Sequence, residues 1–124
     1  MKVRDITRLL EDWAPPVLQE SYDNSGLLVG DLSAKVTKVL ISLDCTEDVV
    51  AEAEREGAEL IISHHPIIFS GLKRLTGSNY VERTVLRAIK SGIALYAIHT
   101  NLDNVASGVN FELATALGCT PESL

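Results

Sequence analysis

The sequence predicts an α/β domain with a mainly parallel or mixed β-sheet flanked by helices. Two observations predict it. From Val36 onward, short segments rich in β-branched and aliphatic residues alternate with amphipathic helical segments, the pattern of βαβ units. The later strand segments are also apolar nearly throughout, as expected of parallel strands covered on both faces.

The first segment places Val3, Ile6, Leu9, Leu10 and Trp13 at helical spacing, and Pro15 and Pro16 end that helix. "VLQESYDNSGLLVGD" opens as a loop, and Gly26 to Gly30 reads as a short strand bounded by glycines. "VTKVLISLD" reads as a strand ending near Asp44. In "TEDVVAEAEREG", Thr46 is the expected N-cap of a helix with acids in its first turn, and Gly57 closes it. "AELIIS" is the next strand, followed by a Gly- and Pro-punctuated loop from Pro66 to about Ser78. "YVERTVLRAIKSG" is a helix with Val81, Val85, Leu86 and Ile89 on one face, and "IALYAIH" is a nearly all-apolar strand. A last helix is expected from roughly Ser107 to Leu117, ended by Gly118, with a turn at Pro121. No repeat or low-complexity segment divides the 124 residues, so residues 1–124 are expected to form one domain.

Composition excludes several classes. The chain is 46% hydrophobic and 23% charged, ordinary for a soluble globular protein. No apolar run approaches a membrane span. The charged opening "MKVRDITRLLEDW" lacks a secretory apolar core. A cytoplasmic location without a membrane partner is the expectation. Net charge is −6, and the densest basic pair, Lys73-Arg74, is isolated. A nucleic-acid footprint needs clustered Lys and Arg, so none is expected. Cys45 and Cys119 stand far apart without CxxC spacing. They read as two reduced thiols, with a disulfide or a thiolate ligand as the alternative. No GxGxxG, P-loop or GxSxG motif is present.

Chemistry collects at one kind of position. In an open parallel sheet, ligands bind outside the carboxyl ends of the strands. The chain has three histidines, and all sit at such ends: His64 and His65 in "SHHP", and His99 in "IHTNLD" with Asp103 four residues on. Imidazole nitrogen and carboxylate oxygen suit zinc, iron or manganese. Adjacent histidines on a strand point to opposite faces. At a strand end turned by Pro66, both can reach one ion, or each can reach one ion of a pair. The alternative for a single histidine there is a capping or hydrogen-bonding role. Asp44 reads equally as part of a helix cap or as a site residue. Glu20, Asp23 and Asn24 form a polar loop cluster near a sheet edge, Ser25 and Gly26 read as turn residues, and Tyr22 and Trp13 as packing residues.

"PPVLQESYDNSGLLVGD", "SLDCTEDVV", "LIISHHPIIF" and "AIHTNLDN", in this order and spacing, resemble the GTP cyclohydrolase 1 type 2 homologues, or NIF-three-like family. The resemblance covers nearly the whole chain and the N-terminal half of a family member. It implies a dinuclear metal centre in a cleft, with His64, His65 and Asp103 as ligands and His99 close by. Asp23 and Asn24 would support the site or face the substrate, and family members assemble as hexameric rings. The expected function is a divalent-metal-dependent hydrolase holding one or two ions of zinc, iron or manganese per chain. Its expected substrate is small and phosphorylated or a nucleotide, with Glu20, Asp23 and His99 as candidates for proton transfer. One departure stands against the pattern. The family's later His-x-x-x-Glu pair has no counterpart in these 124 residues. That leaves the alternative of a non-catalytic metal-binding or interaction module, or of a fragment lacking the second half of its site.

Overall fold

A computed structural model describes residues 1–120; the turn expected at Pro121 lies outside them. The sheet is mixed and four-stranded, in the order β1-β4-β3-β2. Strands β2 (Val39–Ser42), β3 (Leu60–Ser63) and β4 (Ala94–Ala97) run parallel, and β1 (Gly26–Val29) pairs antiparallel with β4. The expected strands are present but shorter than their apolar runs.

Period-two alternation divides the side chains between two cores. Leu60 and Ile62 of β3, with Ala94 and Tyr96 of β4, pack with Val3 and Ala14 around α1 (Val3–Trp13). Ile61 and Leu95 face the other way, against Val50 and Ala53 of α2 (Glu47–Glu56) and Val85 and Ala88 of α3 (Tyr80–Lys90). This is why β3 and β4 read as continuous apolar runs: each strand is buried on both faces. β2 lies at the edge, and Ile41 is 77% exposed.

Local chemistry sets the helix ends. The Thr46 hydroxyl accepts the Val49 N–H, and Gly57 closes α2 in the left-handed region at φ 68°. Asn79 caps α3 through the Glu82 N–H. Gly30, at φ 122°, ends β1 where a Cβ would stand 2.7 Å from the Ala94 Cβ, so only glycine lets β1 lie this close to β4. The first helix buries a narrower stripe than its pattern predicts: Leu9 and Trp13 are exposed, and the Trp13 indole donates to the Ser107 hydroxyl at 3.0 Å. Trp13 and Tyr22 are therefore not core packing residues. Two short elements were not expected: a 3-10 turn over Pro16–Leu18 and a one-turn helix α4 (Thr100–Asp103). The last helix, α5 (Val109–Ala116), buries none of its residues. Cys45 is buried and Cys119 exposed, both as free thiols, and burial pushes the Cys45 thiol up to about 11.

Glu59 ties the start of the sheet together. Its carboxylate accepts the Thr37 N–H at 3.0 Å, the Lys38 N–H at 3.0 Å and the Thr37 hydroxyl at 2.8 Å. The Lys38 N–H, then the Thr37 donors, hold its carboxyl down to about 2 against an ordinary 4.5. A pKa lower in the folded state stabilises the fold above the unfolded value, and that contribution disappears as pH falls towards the folded value. Denaturant unfolding across pH 4.5 to 2 should therefore show a shallower loss of stability in Glu59→Gln than in the unaltered chain. Parallel losses would show that Glu59 contributes nothing to the acid response.

Candidate metal centre

The parallel pairing puts Ser42, Ser63 and Ala97 side by side at the strand ends. The ladder continues one step further, with the His64 N–H on the Ser42 carbonyl at 3.3 Å, the His65 N–H on the Leu43 carbonyl at 3.0 Å and the Ile98 N–H on the Ser63 carbonyl at 2.9 Å. Asp44, His64, His65 and His99 thus emerge from adjacent strands at one edge. The His64 ring centroid lies 5.0 Å from that of His65 and 5.1 Å from that of His99, with 5.4 Å between His65 and His99. One potential ligand nitrogen from each ring lies within 4.8 Å of those of the other two.

Each imidazole is held by the same nitrogen. His64 Nδ1 lies 2.9 Å from the Ile98 carbonyl oxygen, His65 Nδ1 2.7 Å from Asp44 Oδ1, and His99 Nδ1 2.8 Å from Asp23 Oδ1. A carbonyl or an ionised carboxylate can only accept, so Nδ1 donates in all three rings, and Nε2 is the nitrogen left for an ion. His64 Nε2 lies 3.7 Å from Asp103 Oδ1. Three imidazoles that each leave Nε2 without a hydrogen-bond partner, beside a carboxylate, are a donor set that fits a borderline divalent ion.

Asp103 reaches this place through α4. The Asp103 N–H bonds to the His99 carbonyl at 3.2 Å, so one helical turn returns the carboxylate to the side on which His99 stands. The Asn101 side chain secures the turn: its oxygen accepts the His99 N–H at 2.9 Å, and its Nδ2 donates to the Ala14 carbonyl at 2.9 Å.

Asp23 comes from the other direction. β1 is antiparallel to β4 with Gly26 opposite Ala97, so the residues just before β1 stand at the edge where the parallel strands end. The fully buried Asp23 carboxylate accepts from His99, from the Thr100 N–H at 3.0 Å, from the Ser25 hydroxyl at 3.2 Å and from the Asn24 N–H at 2.7 Å. The Thr100 hydroxyl also donates to it. Burial alone would raise its pKa, but the Thr100, His99 and Asn24 donors together hold it well below the usual carboxylate range. Ser25 is thus part of this network as well as a turn residue.

The other expected residues are placed less centrally. Glu20 gives its N–H to the Thr100 hydroxyl at 2.9 Å, and its carboxylate accepts from Asn104 Nδ2 at 3.2 Å. Asn24 Nδ2 donates to the Ile68 carbonyl at 2.6 Å, joining this loop to the one that follows His65. Asp44 holds the His65 ring, while Thr46 performs the cap. Thr100 and Asn101 were missed by sequence reasoning; the dense polar run "HTNLDN" was the available signal.

Known proteins share this arrangement of elements. The family model described as Duf34/NIF3 (NGG1p interacting factor 3) matches residues 1–123. A "GTP cyclohydrolase 1 type 2 homolog" of Clostridium perfringens is 46% identical over 118 residues, covering 95% of this chain and 45% of the relative. Its Clostridium acetobutylicum counterpart is 39% identical over 124 residues, covering 100% of this chain and 46% of that protein. Among solved structures, Staphylococcus aureus hypothetical protein SA1388 superposes with a TM-score of 0.90 at 46% identity, over 95% of this chain and 34% of that one. Reduced HcgD from Methanocaldococcus jannaschii gives a TM-score of 0.85 at 35% identity, over 93% and 46% of the two chains. The chain spans less than half the length of the relatives it matches.

Proposed function

The chain belongs to the Duf34/NIF3 family, and from that premise we propose that its histidine cluster is the metal centre of a divalent-metal-dependent hydrolase acting on a small phosphorylated or nucleotide substrate. One observation carries the reading: three imidazoles at one sheet edge each donate Nδ1–H to a fixed oxygen and leave Nε2 free. A histidine that merely caps a strand has no need to share this arrangement with two neighbours.

His64, His65 and Asp103 would hold the ion, zinc, iron or manganese, as one or two per chain. When bound, such an ion supplies Lewis acidity at a substrate oxygen and lowers the pKa of water. Asp44 orients His65 and Asp23 orients His99, each leaving Nε2 as the ring's free nitrogen. Asp23 is a poor proton acceptor, because its oxygens are already filled by donors that favour the ionised form. Its part in proton transfer is indirect: it holds the His99 ring through Nδ1. Glu20 stands at the same edge as a further acceptor. His99→Ala separates two roles for that ring. Lost metal assigns it to the donor set, and retained metal with lost turnover assigns it to proton transfer.

The test of the centre is elemental analysis of chain purified without chelator or a histidine-rich tag. About one or two equivalents of a transition metal are expected. None, even after incubation with zinc, manganese and iron, would overturn the reading. A second reading is a metal-binding module without turnover. Metal uptake with no hydrolysis across a panel of phosphorylated substrates would select it. A homo-oligomer and a cytoplasmic location belong to the proposal; sedimentation velocity reads the first. Among the described residues no helix is long and apolar enough to cross a membrane.

A further inference from the structure

Asp103 depends on a turn that is too short to hold itself. α4 has four residues, far below the length at which a helix is stable alone in water, and His99 at its N-cap provides no side-chain cap. The turn has Asn101 instead. This side chain is fully buried and uses both of its ends: Oδ1 accepts the His99 N–H at 2.9 Å, and Nδ2 donates to the Ala14 carbonyl at 2.9 Å. The amide cannot sit the other way round, because Nδ2 would then face an N–H and Oδ1 a carbonyl. Ala14 is the C-cap of α1 and is itself fully buried. Its carbonyl is one of the acceptors that a helix end leaves without an internal partner, and Asn101 supplies the donor. Asn104 Nδ2 donates to the Leu18 carbonyl at 2.8 Å and ties down the same turn, but from an exposed position where water can take its place.

We propose that Asn101 is a positioning residue for the metal centre. By fixing the turn from His99 to Asp103 against the end of α1, it sets the Asp103 carboxylate beside His64 and makes the donor set a mixed one of nitrogen and oxygen. This rests on the metal-centre reading above. The bond to the His99 N–H fixes the residue whose carbonyl receives the Leu102 and Asp103 N–H groups, at 2.9 and 3.2 Å. The bond to Ala14 fixes that turn relative to α1. Without Asn101 the three imidazoles keep their own anchors on Ile98, Asp44 and Asp23, whereas Asp103 loses what aims it. The consequence lies in ion preference. Imidazole suits zinc, and manganese leans on carboxylate oxygen. A misdirected Asp103 therefore weakens manganese more than zinc, while a side chain that only supports the fold weakens both alike.

Competition titrations with zinc and with manganese separate the two. In Asn101→Ala, manganese affinity should fall roughly 10–100-fold and zinc affinity by clearly less, with the same shift in preference in Asp103→Ala. Asn101→Asp, which has the same shape but no donor for Ala14, should shift the preference in the same direction. Asn101 variants that weaken both ions equally, or neither, overturn the proposal. Amide hydrogen exchange on the metal-free chain decides independently of the ions and of whether the variants fold. In the unaltered chain the Leu102, Asp103 and Asn104 amides, all bonded within this turn, should exchange at least about tenfold slower than unstructured ones. Exchange at the unstructured rate overturns the proposal. In Asn101→Ala these three amides should speed up more than those of β3 and β4, and a uniform rise across the sheet overturns it too. Should the unaltered chain take up neither ion, the metal-centre reading falls, and the exchange rates alone uphold or overturn the dependence of the turn on Asn101.

Discussion

If the proposed centre holds a metal, His64→Ala should abolish its uptake while leaving the chain folded. His64 is the middle ring of the three, at 5.0 Å from His65 and 5.1 Å from His99. It also faces Asp103, with 3.7 Å between Nε2 and Oδ1. Its removal deletes one donor and leaves the Asp103 carboxylate without its neighbour. Losing only an outer hydrogen-bond partner of a ligand typically costs roughly 10–100-fold in metal affinity, so losing the ligand should cost more than about 100-fold. The fold should tolerate the change. His64 sits at the sheet edge with one side-chain hydrogen bond, to the Ile98 carbonyl, so a loss of about 1 kcal/mol is expected. Metal titration and thermal unfolding on the same sample check both halves. Metal affinity equal to that of the unaltered chain would show that the centre is not built on His64. Loss of the fold would show that the strand end depends on this ring.

Much of this site could be read from the sequence because its logic is local. A strand that is apolar on both faces implies a parallel neighbour, and parallel strands place their carboxyl ends together. Histidines at the ends of two such strands therefore predicted convergence. What could not be read depends on direction and on distant pairing. "GLLV" is four residues long, and nothing in it says that β1 runs opposite to β4, which lies nearly seventy residues on. Yet that antiparallel pairing is what carries Asp23 to His99. The segment after His99 was similarly opaque: "TNLD" turns helical because Asn101 bonds back to the His99 N–H and across to Ala14, a contact between distant parts of the chain. Asp44 was ambiguous because a cap and a carboxylate partner for histidine look identical in sequence. Only the Thr46–Val49 bond frees Asp44 for His65. Trp13 and Tyr22 were misjudged for a simpler reason, since hydrophobicity ranks an aromatic ring as buried without knowing whether a core lies beneath it.

Asp23→Asn should damage both stability and metal affinity, and so separates a supporting carboxylate from a dispensable one. The side chain is fully buried and collects donors from His99, Thr100, Ser25 and Asn24. Asparagine keeps one acceptor oxygen but turns the other position into a donor, which then opposes the Thr100 and Ser25 groups or the His99 Nδ1–H. Weakening a buried, charge-assisted network of this kind is expected to cost about 3 kcal/mol. The effect on metal follows from the tautomer. If the amide nitrogen faces His99, Nδ1 must accept, the proton moves to Nε2, and the ring can no longer ligate or take a proton there. If the amide oxygen faces it, the tautomer survives, but the charge-assisted hydrogen bond that holds the ring becomes a neutral one. Either way metal affinity or turnover should fall by roughly 10–100-fold. Denaturant unfolding measures the first quantity, and competition against a chromogenic chelator the second. A variant with full stability and full metal affinity would show that the Asp23–His99 contact is incidental. A variant that loses stability but keeps its metal and loses turnover would place His99 outside the donor set and leave it, with Asp23 behind it, as the group that moves the proton.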